Sequence, residues 1–232
     1  MPDGIGDPPA EVDLIEEREI AAIVSEVDPA KSLGSPEDLM AYQRVLDAVA
    51  AEWPVLPMRF GAVMTTCDAV ASELLSEHYD EFSDALKDLD DMAEYVVRGR
   101  YDEGPVLAAV LASNKEARDL AGQIRGTSED QTRPQRIRLG ELSTAAIDEQ
   151  RQVDTAKACD ALKGLCAAMA VQDPTHERDA VHLAVLAKRG KQSRLEQAVG
   201  DLAGEWQDRV SMRLLGPLAP YDFVGQAATA AA

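Results

Sequence analysis

Short apolar runs separated by charged turns open the chain. Val12–Ile15 and Ile20–Val24 flank the polar Glu16–Glu19, a spacing that predicts two strands of a hairpin. Past Ser35 the period changes. Ser35 is placed to cap a helix, Pro36 suits its first position and Asp38 fits the acid of a capping box. Leu39, Tyr42, Leu46, Val49 and Trp53 then recur at three- and four-residue spacing, giving one apolar face that Pro54 ends. Val55–Val63 reads as a further strand, with Pro57 arguing for an edge or a strand start. Thr65 and Asp68 signal a second capped helix, carrying Val70, Leu74, His78, Phe82, Leu86 and Leu89 on one stripe and six carboxylates on its outer face. Met92–Gly99 returns as a strand.

The middle of the chain is helical. Asp102 can cap a segment beginning at Pro105, and Ala117, Leu120 and Ile124 mark a second short helix stopped by Gly126. Gly126–Thr132 is the clearest polar hinge. A long helical pattern follows from about Pro134 to Ala168, about 50 Å at a rise of ~1.5 Å per residue. The last third repeats the earlier grammar. Ala167–Val171 and Ala180–Leu186 read as paired strands around Asp173–His176. Leu195, Val199, Leu202 and Trp206 define a helix, and Val210–Leu215 a final strand. These element orders predict an α+β protein with two modified ferredoxin-like sandwiches joined by a helical segment that contains one long helix. The expected domains are residues 1–101 and residues 102–232.

Composition changes the picture in two ways. Aromatic residues are only 4% of the chain, so aliphatic side chains and alanine must build the core. The formal net charge of −19 disfavours nucleic acids and anionic membrane surfaces, and favours solubility beside an apolar partner. The same bias also arises wherever a whole proteome is acidic. No apolar run approaches the ~20 residues of a bilayer span. The N-terminus has neither the basic region nor the apolar stretch of a signal peptide. Three irregularly placed cysteines make no disulfide framework, so the cytoplasm is the expected compartment.

Candidate chemistry is thin. His78, His176 and His182 have no zinc-ligand spacing around them, and His78 is expected to be packed on its helix. No phosphate-cradling loop, metalloprotease motif or nucleophile elbow is present. Cys67, near a helix start, is the one nucleophile candidate, but Asp68 beside it works against a thiolate. Cys159 and Cys166 read as small core residues. No catalytic, cofactor-binding or metal-binding residue is therefore expected, and no cofactor. The alternative is a ferredoxin-like small-ligand sensor or enzyme with an unrecognised pocket, which Cys67 or Arg59 would have to line.

Four segments, in order, carry a resemblance over nearly the whole chain: Val55–Gly61 (VLPMRFG), Glu94–Tyr101 (EYVVRGRY), Ile137–Leu142 (IRLGEL) and Leu215–Val224 (LGPLAPYDFV). Together they resemble the gas vesicle protein F/L family. The resemblance implies a non-enzymatic accessory protein for gas vesicle assembly, contributing to vesicle formation and buoyancy. Its implied partners are the major shell protein and other accessory proteins, in a chaperone or nucleation role. The family-motif residues on which partner binding is considered are Arg59, Phe60, Arg98, Tyr101, Pro217, Pro220, Tyr221 and Phe223. Arg59 and Arg98 are expected to pair with carboxylates in semi-buried positions. The terminal motif is expected to close the second sandwich, with Tyr221 and Phe223 as packed anchors. Family members open with an apolar strand ahead of a segment like Gly4–Asp7, and because Met1 stands almost at that segment, this first strand is expected to be missing.

Overall fold

The computed structural model describes residues 2–6, 8–28, 30–31 and 33–224. β1 (Val12–Glu17) and β2 (Ile20–Ser25) form an antiparallel hairpin in which Val12 faces Ser25 and Glu17 faces Ile20. Its tight turn puts Arg18 at φ 54°, and the Arg18 guanidinium lies 4.5 Å from the centre of the Tyr79 ring. α1 (Pro36–Ala50) starts on the anticipated capping box. Ser35 Oγ accepts from the Asp38 amide at 3.1 Å, and Asp38 Oδ2 accepts from the Ser35 amide at 3.0 Å. Hydrogen bonds from the Gly34 and Ser35 amides hold the Asp38 carboxyl below its ordinary pKa. The buried face of α1 is Ala41, Val45, Leu46 and Ala50, whereas Leu39 and Trp53 are exposed. The expected stripe is thus rotated, because small alanines allow the close packing that a large-residue pattern does not reveal.

Residues 54–66 contain no strand, which corrects the strand expected at Val55–Val63. Pro54 and Pro57 remove two amide donors from any ladder. The segment is held instead by the Tyr42 hydroxyl donating to the Met58 carbonyl and by a turn in which the Ala62 amide reaches Arg59 O at 3.1 Å. The next helix is broken rather than continuous. α2 (Cys67–Ala69), capped by Thr66, widens into a π-helical stretch at Val70–Ser76, and α3 (Tyr79–Asp88) begins anew after His78. The wider turn puts Val70 and Leu75, five residues apart, in the core. His78 is consequently exposed beside Glu81 and Phe82, not packed as expected.

β3 (Met92–Tyr101) leads into α4 (Glu103–Ser113), α5 (Lys115–Ile124) and the 30-residue α6 (Arg133–Leu162). β4 (Ala168–Val171), β5 (Asp179–Lys188), α7 (Gln192–Glu205) and β6 (Val210–Leu218) complete the chain. The four later strands form one antiparallel sheet in the order β4-β5-β3-β6, with a strand-helix-strand-strand-helix-strand connection. The protein is α+β, and among the described residues this sheet and the β1-β2 hairpin are its two sheets.

The chain divides into two compact units. One comprises the described residues up to Tyr95, Leu186–Gly190 and Gly216–Val224; the other is Val96–Val185 with Lys191–Leu215. β3, expected to complete the first of two sandwiches, is a central strand of the four-stranded sheet. In the second unit Val97, Leu162, Val181, Leu183, Val185 and Leu195 are essentially fully buried. Gly99 permits the tightest approach there: a Cβ at this position would stand 2.7 Å from Met212 Sδ and 3.1 Å from Val210 Cγ1. In the first unit Leu46, Ala50, Val55 and Ala219 form the core cluster, with Tyr42 and Val49 against it.

Candidate functional site

Most of the motif residues fall into two assemblies, one in each unit. In the first unit the terminal motif turns back onto α1. Gly216 has φ +129°, a conformation that side-chain-bearing residues rarely adopt. A Cβ there would come within 2.8 Å of Tyr95 Cδ1 and 2.9 Å of the Glu94 carbonyl oxygen. Gly216→Ala is accordingly expected to cost about 3 kcal/mol, read from urea unfolding; an unchanged midpoint would show that the turn relaxes freely. Beyond it the Ala219 amide donates to Asp47 Oδ1 at 3.1 Å and the Asp222 amide to Glu94 Oε2 at 3.0 Å. Pro220 and Phe223 are buried, Pro217 is half-buried and Tyr221 lies at the surface edge. Phe60 meets Tyr42 edge to face, with ring centres 5.4 Å apart. The motif thus closes on α1 and the start of β3, where a closure of the C-terminal sandwich was expected.

This closure is acidic: beside Glu94 stand the half-buried Asp47 and the exposed Asp222. Glu94 is 2% exposed. Burial first, then the neighbouring carboxyls of Asp222 and Asp47, push its pKa up to about 8. Burial also raises Asp47, and the Tyr221 hydroxyl is raised by burial and then by Asp47. Nearby, the Arg189 guanidinium donates to the carbonyls of Ala50 (2.6 and 3.2 Å) and Trp53 (3.1 Å), placing a cation on the orphan carbonyls at the end of α1.

The second assembly is built around Asp154, one helical turn from the buried Ala158 and two from Leu162 on α6. Its carboxylate accepts from Tyr101 Oη at 2.7 Å, from Arg209 Nη1 at 2.5 Å and Nη2 at 2.9 Å, and from Gln150 at 3.2 Å. Burial alone would raise the Asp154 pKa, but the guanidinium and the phenol outweigh it and hold the carboxyl below its ordinary value. Burial, then Asp154, pushes the Tyr101 phenol far up. Neither Asp154 nor Arg209 stands out in the sequence. The one available signal was a lone carboxylate in register with inward-facing alanine and leucine.

The motif arginines do not pair as expected. Arg59 is exposed, and among the described residues it has no carboxylate partner. Arg98 is half-buried and donates to Thr175 Oγ1 at 3.3 Å and to His182 Nε2 at 3.1 Å. Since an arginine only donates, His182 Nε2 accepts, and Nδ1 carries the proton toward Asp173 O at 2.9 Å. His182 therefore links the Arg98 side chain to the Asp173 backbone.

A cavity of about 530 Å³ opens in the second unit, with Tyr101, Leu107, Ile147, Arg151, Thr175 and His176 in its wall. Arg151 is already engaged by Asp148, Asp179 O and Glu177 O. Thr175 is engaged by Asp179. Neither Cys67 nor Arg59 lines this cavity. Among the described residues no group of histidine, cysteine or carboxylate side chains is arranged to hold a metal, and no helix is long and apolar enough to cross a membrane. Trp53, Met58, Val63 and Met64 all lie exposed along one segment whose single charged residue is Arg59. Such a run on a strongly acidic chain is a candidate contact surface.

Comparison with known proteins gives this geometry its context. The family described as "Gas vesicle synthesis protein GvpL/GvpF" matches residues 1–225. A gas vesicle protein F from a Streptomyces species is 34% identical over 223 residues, covering 95% of this chain and 91% of the relative. Gas vesicle protein L1 of Halobacterium salinarum is 23% identical, covering 95% and 82%. The crystal structure of GvpF from Anabaena sp. PCC7120 superposes with a TM-score of 0.75 at 22% identity, over 96% of this chain and 91% of that one, and so shares the fold. Matched along essentially its full described length, and with a relative above 30% identity, this chain belongs to the gas vesicle GvpL/GvpF family.

Proposed function

We propose that this chain is a non-enzymatic accessory factor of gas vesicle assembly that binds the small, apolar major shell protein, keeps it soluble and helps vesicle formation, in the cytoplasm and beside other accessory proteins. The observation that carries this reading is family membership over residues 1–225, in a family described by its role in gas vesicle synthesis. Two physical features support the finer claim. The −19 charge keeps the factor itself soluble beside an aggregating client. The exposed Trp53, Met58, Val63 and Met64 supply apolar contact area on a segment without acidic residues.

A pull-down of the purified shell protein by the full chain tests the proposal. Retention of the shell protein, with a larger fraction left in the supernatant, is the expected result. No retention, under conditions where another accessory protein does retain it, would sink the idea.

A further inference from the structure

The terminal turn has a property that its role as a packed closure does not require. We propose that Leu218–Val224 is a pH-sensitive strap over the apolar cluster of Leu46, Ala50 and Val55, and that its opening is coupled to loss of the proton on Glu94.

The geometry sets the device up. Within this unit the strap is tied down by two hydrogen bonds from its own amides, both ending on carboxyl groups: Ala219 on Asp47 of α1 and Asp222 on Glu94 of β3. Its apolar anchors, Ala219 and Phe223, are buried. The groups facing Glu94 are the Asp222 carboxyl and the Tyr221 phenol from the strap, with Asp47 from α1 and Tyr42 beyond it. No ion pair found among the described residues involves Glu94, Asp47 or Asp222. The Arg189 cation of this unit is turned onto the carbonyls of Ala50 and Trp53. Protonated, the buried Glu94 is neutral beside the Asp222 and Asp47 carboxyls and accepts the Asp222 amide. Once it ionises, a buried charge stands beside the half-buried Asp47 and the exposed Asp222 carboxylates, which repel it. Moving the strap away rehydrates Glu94 and separates the charges.

The sign of the pH effect follows from linkage. In the closed form Glu94 holds its proton up to about pH 8; in the open, hydrated form it has an ordinary carboxyl pKa near 4.5. The closed state binds the extra proton, so closure is strongest below the ordinary value and weakens progressively until the closed-form value is passed. One proton coupled to opening gives about a tenfold loss of closure per pH unit inside that window.

Hydrogen exchange on the full chain tests this, using protection factors corrected for the intrinsic pH dependence of exchange. The amides of Ala219, Asp222 and Phe223 are expected to lose protection about tenfold per pH unit between pH 5 and pH 8, while α7 amides keep theirs. Glu94→Gln should flatten the profile. Asp222→Asn, which leaves Glu94 in place, should shift it by removing one like charge. A flat wild-type profile, the same slope in Glu94→Gln, an unmoved profile in Asp222→Asn, or equal losses in α7 would each overturn the proposal.

Discussion

Replacing Asp154 with alanine is expected to lower the unfolding free energy by about 3 kcal/mol, the lower end for removing one partner of a buried pair. Asp154 is 2% exposed and receives the Tyr101 hydroxyl, both terminal nitrogens of Arg209 and the Gln150 amide. Its removal leaves the Tyr101 hydroxyl in a dry site without its acceptor. Arg209 is partly exposed and can recover water, which is why the lower figure is the right one. The acid limb carries the same information. The folded Asp154 carboxyl lies below its ordinary value, so its stabilisation is present above about pH 4 and disappears as pH falls through the folded value. Urea midpoints from pH 3 to pH 7 should therefore converge for the wild type and Asp154→Ala at the acid end. A loss under about 1 kcal/mol at pH 7 would mean that the network is dispensable.

The second large effect is expected at Phe223. Truncation to alanine should cost about 3 kcal/mol, the usual range for a buried aromatic ring, since Phe223 is 4% exposed within the closure. Tyr221, 36% exposed, should cost about 1 kcal/mol on the same substitution. The contrast within three residues separates a packed anchor from a rim residue. Equal effects from both in thermal or urea unfolding would contradict the packing described for this turn.

The comparison between sequence and fold divides along contact range. Whatever depends on neighbours in sequence was readable: the β1-β2 hairpin, the capping box at Ser35, the stop at Gly126 and the amphipathic α7. What depends on distant partners was not. β3 looks like the end of a first domain because nothing local says that its neighbours are β5 and β6. Arg189 reaches the end of α1 across 139 positions, and Arg209 reaches Asp154 across 55. The segment after Pro54 carries a strand-like composition, yet its two prolines and the Tyr42 contact hold it outside both sheets. The π-helical turn at Val70–Ser76 departs from a period of 3.6, so a 3.6-residue stripe through His78 crosses a break.

Of the motif residues, Phe223 and Tyr101 are anchors whose burial explains why those positions take large aromatic side chains. Charge alone predicts ion pairs at Arg59 and Arg98; the structure leaves one in solvent and gives the other a histidine and a threonine. The exposed apolar residues nearest Arg59 could not be separated from core residues by composition. Exposure is a property of the fold, and it is what makes Trp53–Met64 the surface to test.

The most direct test of the account is the affinity of the full chain for the purified major shell protein, compared between wild type and Val63→Asp. Val63 is 62% exposed, so the substitution should leave the fold intact while placing a charge in the apolar segment. The account predicts saturable binding by the wild type, weakened about tenfold or more in Val63→Asp. It is contradicted by an absence of binding, or by equal affinity in the two proteins.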